Sequence, residues 1–176
     1  MKKIAIAIVA AAFALPLTAF AEKATLLTVE EKIEINAPSK VVWSKLHNFA
    51  DMGAWHPAVK KTEIVEGKTN KPGAVRVLTL QDGGTIKEKL LAYKFKERTF
   101  EYAIVEGVLP VSDYVSTLTV GETKDGKSLV VWKGNFKRKD ISDKPATGQG
   151  DDDAVKTITS VYKGGLENLK KISEAK

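Results

Sequence analysis

The residues with the clearest chemical potential are the two histidines, His47 and His56, because the chain contains no cysteine. His56 directly follows Trp55 in the stretch DMGAWHPAV, residues 51–59. A general base needs an orienting partner within hydrogen-bond reach, and Asp51 and Glu63 are the nearest candidates along the chain. A zinc site needs three or four nitrogen, sulfur or carboxylate ligands. Two histidines without cysteine do not supply them, so we predict no metal and no cofactor.

No complete catalytic motif accompanies these histidines. Gly67-Lys68-Thr69 resembles the end of a phosphate-binding loop, but the motif requires glycine at position 62, which is Thr62. An acid–base enzyme would have to use His56, Glu88 or Asp113. We assign a catalytic role to none of them and predict that His56 lies beside Trp55 at the entrance of a pocket.

Aromatic residues recur on one face of three predicted strands. Rings, a hydroxyl group and a glycine among aliphatic side chains are typical of an apolar pocket with a few polar groups. The alternative is that the same rings fill a closed core. We predict a cavity, with these candidate ligand-binding residues: Trp55, His56, Tyr102, Tyr114, Trp132, Phe136 and Tyr162.

The N-terminus has the features of a secretory signal peptide. Two lysines precede an apolar run from Ile4 to Leu15, and Ala19 and Ala21 form a small-x-small cleavage site. A membrane-spanning helix needs roughly 20 apolar residues, more than this run offers. We therefore predict a signal peptide over 1–21, cleavage after Ala21 and a periplasmic location. The mature chain, 22–176, is predicted to be one domain without a transmembrane segment.

Charge and cysteine content exclude several classes of function. The net charge of +6 is modest and scattered, and an exported protein seldom meets nucleic acid, so no nucleic-acid partner is expected. The absence of cysteine excludes disulfides and thiolate chemistry. Stability must therefore come from packing.

Hydrophobic periodicity predicts one strand, a short helix, six further strands and a long C-terminal helix. The first strand is predicted over 28–36, and Ala37-Pro38-Ser39 begins the short helix. The later strands are predicted over 59–66, 74–81, 85–95, 98–106, 112–122 and 127–138. Short turns make consecutive strands antiparallel neighbours, and a shift of the apolar pattern near Leu90 predicts a bulge.

The last helix begins at Asp151, Asp152 and Asp153, where negative charge favours a helix N-terminus. Its apolar residues recur at three- and four-residue steps, so one stripe faces the sheet. Gly164 and Gly165 interrupt it, which indicates either a kink or the close approach of a ligand or sheet. A single helix on a curved sheet leaves a hollow between them unless large side chains fill it.

This order of elements is similar to the START/Bet v 1-like superfamily, in its polyketide cyclase/dehydrase and lipid transport branch. The stretches that carry the resemblance are INAPSKVVWSKLHNF at 35–49, WHPAV at 55–59, YAIVEGVLPVSDYVSTLTV at 102–120 and VVWKGNFK at 130–137. The resemblance implies an α+β helix-grip fold, a curved antiparallel sheet of about seven strands wrapped around the C-terminal helix. It also implies a cavity for a small hydrophobic or amphipathic ligand, and no fixed set of catalytic residues.

Three functions are compatible with this resemblance. The first is a periplasmic, non-catalytic carrier of a small apolar or lipid-like molecule. The second follows from likeness to exported accessory proteins of bacterial methanol oxidation, which implies an acidic periplasmic protein partner. That partner would meet an exposed set of lysines, namely Lys60, Lys61, Lys68, Lys71, Lys137 and Lys139. The third is an enzyme of the cyclase or dehydratase kind.

Overall fold

The computed structural model describes residues 25–175. The predicted signal peptide lies outside this range and stays a prediction. Within residues 25–175, none of the helices combines the length and the apolar character needed to cross a membrane.

One antiparallel sheet of seven strands forms the body of the molecule, in the order β1-β7-β6-β5-β4-β3-β2. The strands are β1 Leu27–Ile35, β2 Val59–Glu66, β3 Val75–Leu80, β4 Thr85–Lys94, β5 Thr99–Gly107, β6 Val111–Glu122 and β7 Ser128–Arg138. The helices are α1 Ser39–Leu46, a short 3-10 helix Met52–Ala54 and α2 Asp151–Glu174. The predicted helix-grip architecture is confirmed.

The alternation of side chains along each strand determines which face meets α2. On β7, Val130, Trp132 and Phe136 are buried, whereas their neighbours Leu129 and Lys133 are exposed. Opposite them, α2 buries a stripe made of Ala154, Ile158, Tyr162, Gly165, Leu166, Leu169 and Ser173. Burying such aliphatic and aromatic surface is the main favourable contribution to folding.

The N-terminus of α2 is capped by one of its own side chains and is also bonded to a side chain of β7. The backbone N–H of Gly150 donates to the Asp153 carboxylate at 3.1 Å, and Arg138 bonds to Asp151 at 2.9 Å. Negative charge in this first turn also complements the helix dipole. These contacts anchor α2 to the end of β7.

The sheet is irregular at three places that matter for the interior. The β4–β5 register shifts between Leu90 and Ala92, which confirms the predicted bulge. In β6 the register with β7 shifts between Ser112 and Val115. The β5–β6 pairing ends at Ala103 and Val115, although both strands continue beyond that point. The two strands therefore separate at one end of the sheet.

Candidate functional site

A cluster of hydroxyl groups occupies the centre of the space between the sheet and α2. Tyr162 of α2 shares hydrogen bonds with Tyr114 at 2.5 Å and with Ser116 at 2.8 Å, both on β6. The indole N–H of Trp132 donates to Tyr102 at 3.1 Å and to Ser116 at 3.0 Å. Burial raises the pKa of all three tyrosines, so they stay protonated hydroxyl groups.

Ring packing surrounds this hydroxyl cluster. Trp132 stacks on Tyr162 with ring centroids 4.3 Å apart, and Phe136 stacks on Tyr114 at 5.9 Å. A side chain at Gly134 would overlap the Tyr162 hydroxyl, so glycine at that position lets α2 approach the sheet. The aromatic residues of β5, β6 and β7 thus occupy most of the predicted hollow.

His56 lies in the interior rather than at an entrance, with 3% of its surface exposed. Its Nε2–H donates to the carbonyl of Val161 at 3.0 Å, and its Nδ1 accepts the N–H of Ala58 at 3.2 Å. Burial lowers the pKa of His56, and the nearby Arg76 charge adds to this effect. Because backbone groups occupy both ring nitrogens, the imidazole acts as a neutral link between α2 and the loop that follows the 3-10 helix.

Trp55 is also buried, with 2% of its surface exposed. Its ring lies 5.6 Å from that of Trp132, and its carbonyl accepts a hydrogen bond from the Asn168 side chain at 2.8 Å. The expected position of Trp55 and His56 at a pocket mouth is therefore wrong. The pair joins the segment after α1 to the middle of α2.

The two adjacent glycines of α2 have different surroundings. A Cβ at Gly165 would lie 2.5 Å from His56 Cδ2 and 2.9 Å from a Trp132 ring carbon. A Cβ at Gly164 would meet nothing within 4 Å. The close approach predicted for this pair occurs at Gly165 alone, and the approaching groups are His56 and a side chain of the sheet.

A buried ion pair is the strongest electrostatic feature of the interior. Arg76 on β3 contacts Glu88 Oε2 through Nε and Nη2, both at 2.6 Å, and donates through Nη1 to the carbonyl of Phe49 at 2.9 Å. Both side chains are at most 4% exposed. The guanidinium also lies 4.0 Å from the centroid of the Phe49 ring. Burial raises the pKa of the Glu88 carboxyl, and the Arg76 charge opposes part of that rise.

The Glu88 carboxyl of this pair lines a small, largely enclosed space of about 60 Å³, which we call the inner cavity. Four of the seven predicted ligand-binding residues line it, namely His56, Tyr102, Tyr114 and Trp132. Trp55, Phe136 and Tyr162 pack behind them. The remaining lining is Glu88 and a largely apolar wall of Met52, Ala58, Val59, Leu78, Leu80, Ile86, Ile104, Leu109, Ile158 and Val161.

A larger surface depression, the outer groove, lies where β5 and β6 separate and measures about 1010 Å³. It shares three lining residues with the inner cavity: Ile104, Leu109 and Tyr114. These three side chains therefore lie between the inner cavity and the outer groove, and we call them the partition.

Sequence reasoning did not identify Arg76, and it considered Glu88 only as a catalytic alternative. A signal was present, since Glu88 has the same strand parity as the buried Ile86 and Leu90. Asp113, the other acidic alternative, is exposed and pairs with Lys137 at 2.7 Å, so it does not reach the interior. Within residues 25–175, no group of three or more metal-binding side chains is found.

The predicted lysine surface is divided between distant strands. Lys60 and Lys61 lie on β2, with Lys68 and Lys71 in the following turn, whereas Lys137 lies on β7, five strands away in the sheet order. Lys61 and Lys137 are also paired with carboxylates.

Comparison with known proteins gives consistent matches. A family model described as polyketide cyclase / dehydrase and lipid transport matches residues 27–174. MLP-like protein 423 from Arabidopsis thaliana is 25% identical over 115 residues, which cover 61% of this chain and 74% of that protein. The solved structure of the protein XoxI from Bacillus cereus has 29% identity and a TM-score of 0.72, covering 82% of this chain and 94% of that one. A structure of an uncharacterized protein from Bacillus thuringiensis has 29% identity and a TM-score of 0.74, covering 85% and 100%.

Proposed function

The chain belongs to the polyketide cyclase/dehydrase and lipid transport family, and from that premise we propose that it is a periplasmic carrier of a small apolar or amphipathic molecule. The bound molecule occupies the space between the sheet and α2. The observation that carries this proposal is the inner cavity, where one carboxylate faces an otherwise largely apolar wall. Ligand sites of this kind combine apolar surface with a few placed polar groups.

The chemistry of Glu88 limits the ligand. Its Oε2 receives both contacts from Arg76, and the carboxyl lines the inner cavity, where a ligand can reach it. A buried carboxylate oxygen gains from a charge-assisted hydrogen bond. The ligand therefore carries a hydroxyl or similar donor at the end that reaches Glu88, and an apolar body that meets Leu78, Ile86 and Ile158.

The inner cavity is too small for such a ligand. Ligand sites usually measure about 300–1,000 Å³, whereas this space measures about 60 Å³. Uptake requires movement of the partition, Ile104, Leu109 and Tyr114. The β5–β6 ladder already ends at Ala103 and Val115, so Leu109 and Tyr114 can move without breaking β5–β6 pairing, while Ile104 stays paired with Glu88 of β4. The seven residues predicted from the sequence form the polar and aromatic end of the enlarged pocket.

Native mass spectrometry of the protein isolated from periplasm, followed by uptake of the fluorescent fatty acid cis-parinarate, tests the carrier proposal. We expect a bound small molecule in the first measurement and saturable fluorescence in the second. Leu109→Trp fills the partition and blocks uptake, whereas Val105→Trp, on the outer groove only, leaves it intact. An empty protein that takes up no parinarate, or equal effects of the two variants, argues against the proposal. N-terminal sequencing of the same material checks cleavage after Ala21.

A second candidate function, acid–base catalysis, is favoured by one observation. Glu88 is a buried carboxyl with a raised pKa that lines the cavity, which is the usual setting of a proton-transferring group. Incubation of the isolated ligand with wild type and with Glu88→Gln distinguishes the two functions. A carrier returns the ligand unchanged in both cases, whereas a dehydratase releases water from it only when Glu88 is present.

A further inference from the structure

A second concave site is lined by Trp43, which also belongs to the hydrophobic core. We call it the α1 cleft; it measures about 400 Å³ and lies between α1 and the β4–β5 turn. Its lining residues are Lys40, Trp43, Ser44, His47, Phe95, Lys96 and Arg98. None of them lines the inner cavity, so the two spaces are separate.

Aromatic rings form the walls of the α1 cleft. Phe95 meets Trp43 edge-on at 6.2 Å and His47 edge-on at 5.6 Å. Although these rings support it from one side, Phe95 is 57% exposed. An exposed phenylalanine beside a buried tryptophan supplies apolar surface that a ligand would cover.

The rim of the cleft is cationic. Lys40, Lys96 and Arg98 line it, no carboxylate does, and none of the three forms a salt bridge with another residue in 25–175. The neighbouring Glu97 is paired with Lys94 at 3.3 Å. The positive charge around the cleft is therefore not neutralised by neighbouring side chains.

Arg98 ends the β4–β5 turn, where its N–H donates to the carbonyl of Phe95 at 3.1 Å. Its φ of 51° lies in the left-handed region, which glycine occupies without cost and other residues only with strain. The residue is half-buried, and its side chain donates no hydrogen bond to any residue between 25 and 175. A half-buried and unpaired guanidinium beside an aromatic cleft is placed to receive an anion.

We infer that the α1 cleft binds a small amphipathic carboxylate. Its apolar part lies against Phe95 and Trp43, and its carboxylate lies among Arg98, Lys96 and Lys40. A concave space of this size suits a small molecule. The positive, acid-free rim selects an anion over a neutral compound of the same shape.

Calorimetric titration of the mature protein with 2-naphthoate, compared with the neutral 2-naphthamide and with acetate, tests this inference. We expect 2-naphthoate to bind about tenfold more tightly than the amide, acetate to bind immeasurably weakly, and affinity to fall as salt rises. In a ¹H–¹⁵N spectrum, the shifts concentrate at 40–47, 95–98 and the Trp43 indole. Equal binding of acid and amide, or shifts confined to the inner cavity, overturns the inference.

Matched variants separate a specific site from general surface charge. Lys96→Gln and Arg98→Gln should each weaken 2-naphthoate binding about three- to tenfold, whereas Lys45→Gln, exposed on α1 but outside the cleft, should not. Phe95→Ala should also weaken binding, while Leu91→Ala, exposed on β4 and outside the cleft, should not. If Lys45→Gln matches Lys96→Gln, or if only anionic vesicles bind in a Phe95-dependent way, the small-molecule site is refuted. Phe95→Ala should leave parinarate uptake unchanged, so this site and the carrier function can fail independently.

Discussion

Tyr162 reaches the sheet only because position 134 has no side chain. The Tyr162 hydroxyl lies where a Cβ of residue 134 would be, and it bonds there to Tyr114 and Ser116. A methyl group at 134 therefore displaces the hydroxyl from its partners. The two positions form one packing unit.

A double-mutant cycle tests whether the two positions are coupled, with the free energy of unfolding measured for wild type, both single variants and the double variant. Gly134→Ala should cost about 1–3 kcal/mol through overpacking, and Tyr162→Phe about 1 kcal/mol through loss of its hydrogen bonds. The double variant should cost clearly less than the sum, because without the hydroxyl the nearest Tyr162 ring carbon is 3.4 Å from the new methyl group. Urea denaturation of the four proteins measures the coupling, and additive costs contradict it.

His56 should make stability depend on pH. Its pKa is lowered in the folded protein by burial, while in the unfolded chain it is about 6.5. The unfolded chain therefore takes up a proton first, so the His56 contribution is complete above about pH 6.5 and is lost as the pH falls below it.

Comparison of wild type with His56→Gln isolates this effect, since Glu88 and all other titrating groups are common to both. Between pH 7.5 and 5.5, wild type should lose more stability than the variant, by up to about 1.4 kcal/mol per pH unit. Urea midpoints at intervals of half a pH unit provide the measurement. Parallel curves for the two proteins would falsify the assignment.

Within α2, the adjacent glycines predict opposite effects of the same substitution. Gly164→Ala should stabilise the protein by about 0.5–1 kcal/mol, because alanine favours the helix and its Cβ meets nothing. Gly165→Ala gains the same propensity but forces His56 and Trp132 apart, at a cost of about 1–3 kcal/mol. Thermal unfolding of the two variants compares them directly. A stabilised Gly165→Ala would show that His56 moves freely.

The sequence predicted the features that depend on neighbouring residues in the chain, and it missed those that depend on how distant segments align. The bounds of β6, predicted over 112–122 and found at Val111–Glu122, depend on alternation within the strand itself. The ion pair depends on register, since Arg76 and Glu88 are direct partners across β3 and β4. The alternation of apolar and polar residues places Arg76 and Glu88 on the inner face of their strands. It does not predict the register of β3 and β4, so it does not predict that the two side chains meet. Gly165 lies three residues after Tyr162, so helical spacing already places it on the buried stripe of α2. Gly164 does not share that position, and a prediction made for both glycines together therefore missed the difference between them.

At the scale of the whole molecule, the helix-grip fold closes more tightly than its architecture alone predicts. A curved sheet around one helix leaves a hollow, but here Tyr102, Tyr114, Trp132 and Tyr162 fill most of it and satisfy one another's hydrogen bonds. Strand alternation predicts that large aromatic side chains point to the inner face of the sheet. It does not predict whether they line a pocket there or fill it, because alternation says nothing about the volume left between sheet and helix. A carrier with this interior must open to bind.

Opening should therefore limit the rate of ligand uptake. If the partition moves before the ligand enters, the observed rate of parinarate uptake in stopped-flow fluorescence reaches a plateau as ligand concentration rises. Leu109→Ala removes part of the partition and should raise that plateau about five- to tenfold, corresponding to roughly 1–1.4 kcal/mol of lost packing in the closed state. Val105→Ala, which lines the outer groove but not the inner cavity, is the matched control and should leave the plateau unchanged. A rate that rises linearly with ligand for all three proteins would mean that the ligand enters without prior opening, and that the separation of β5 and β6 plays no part in uptake.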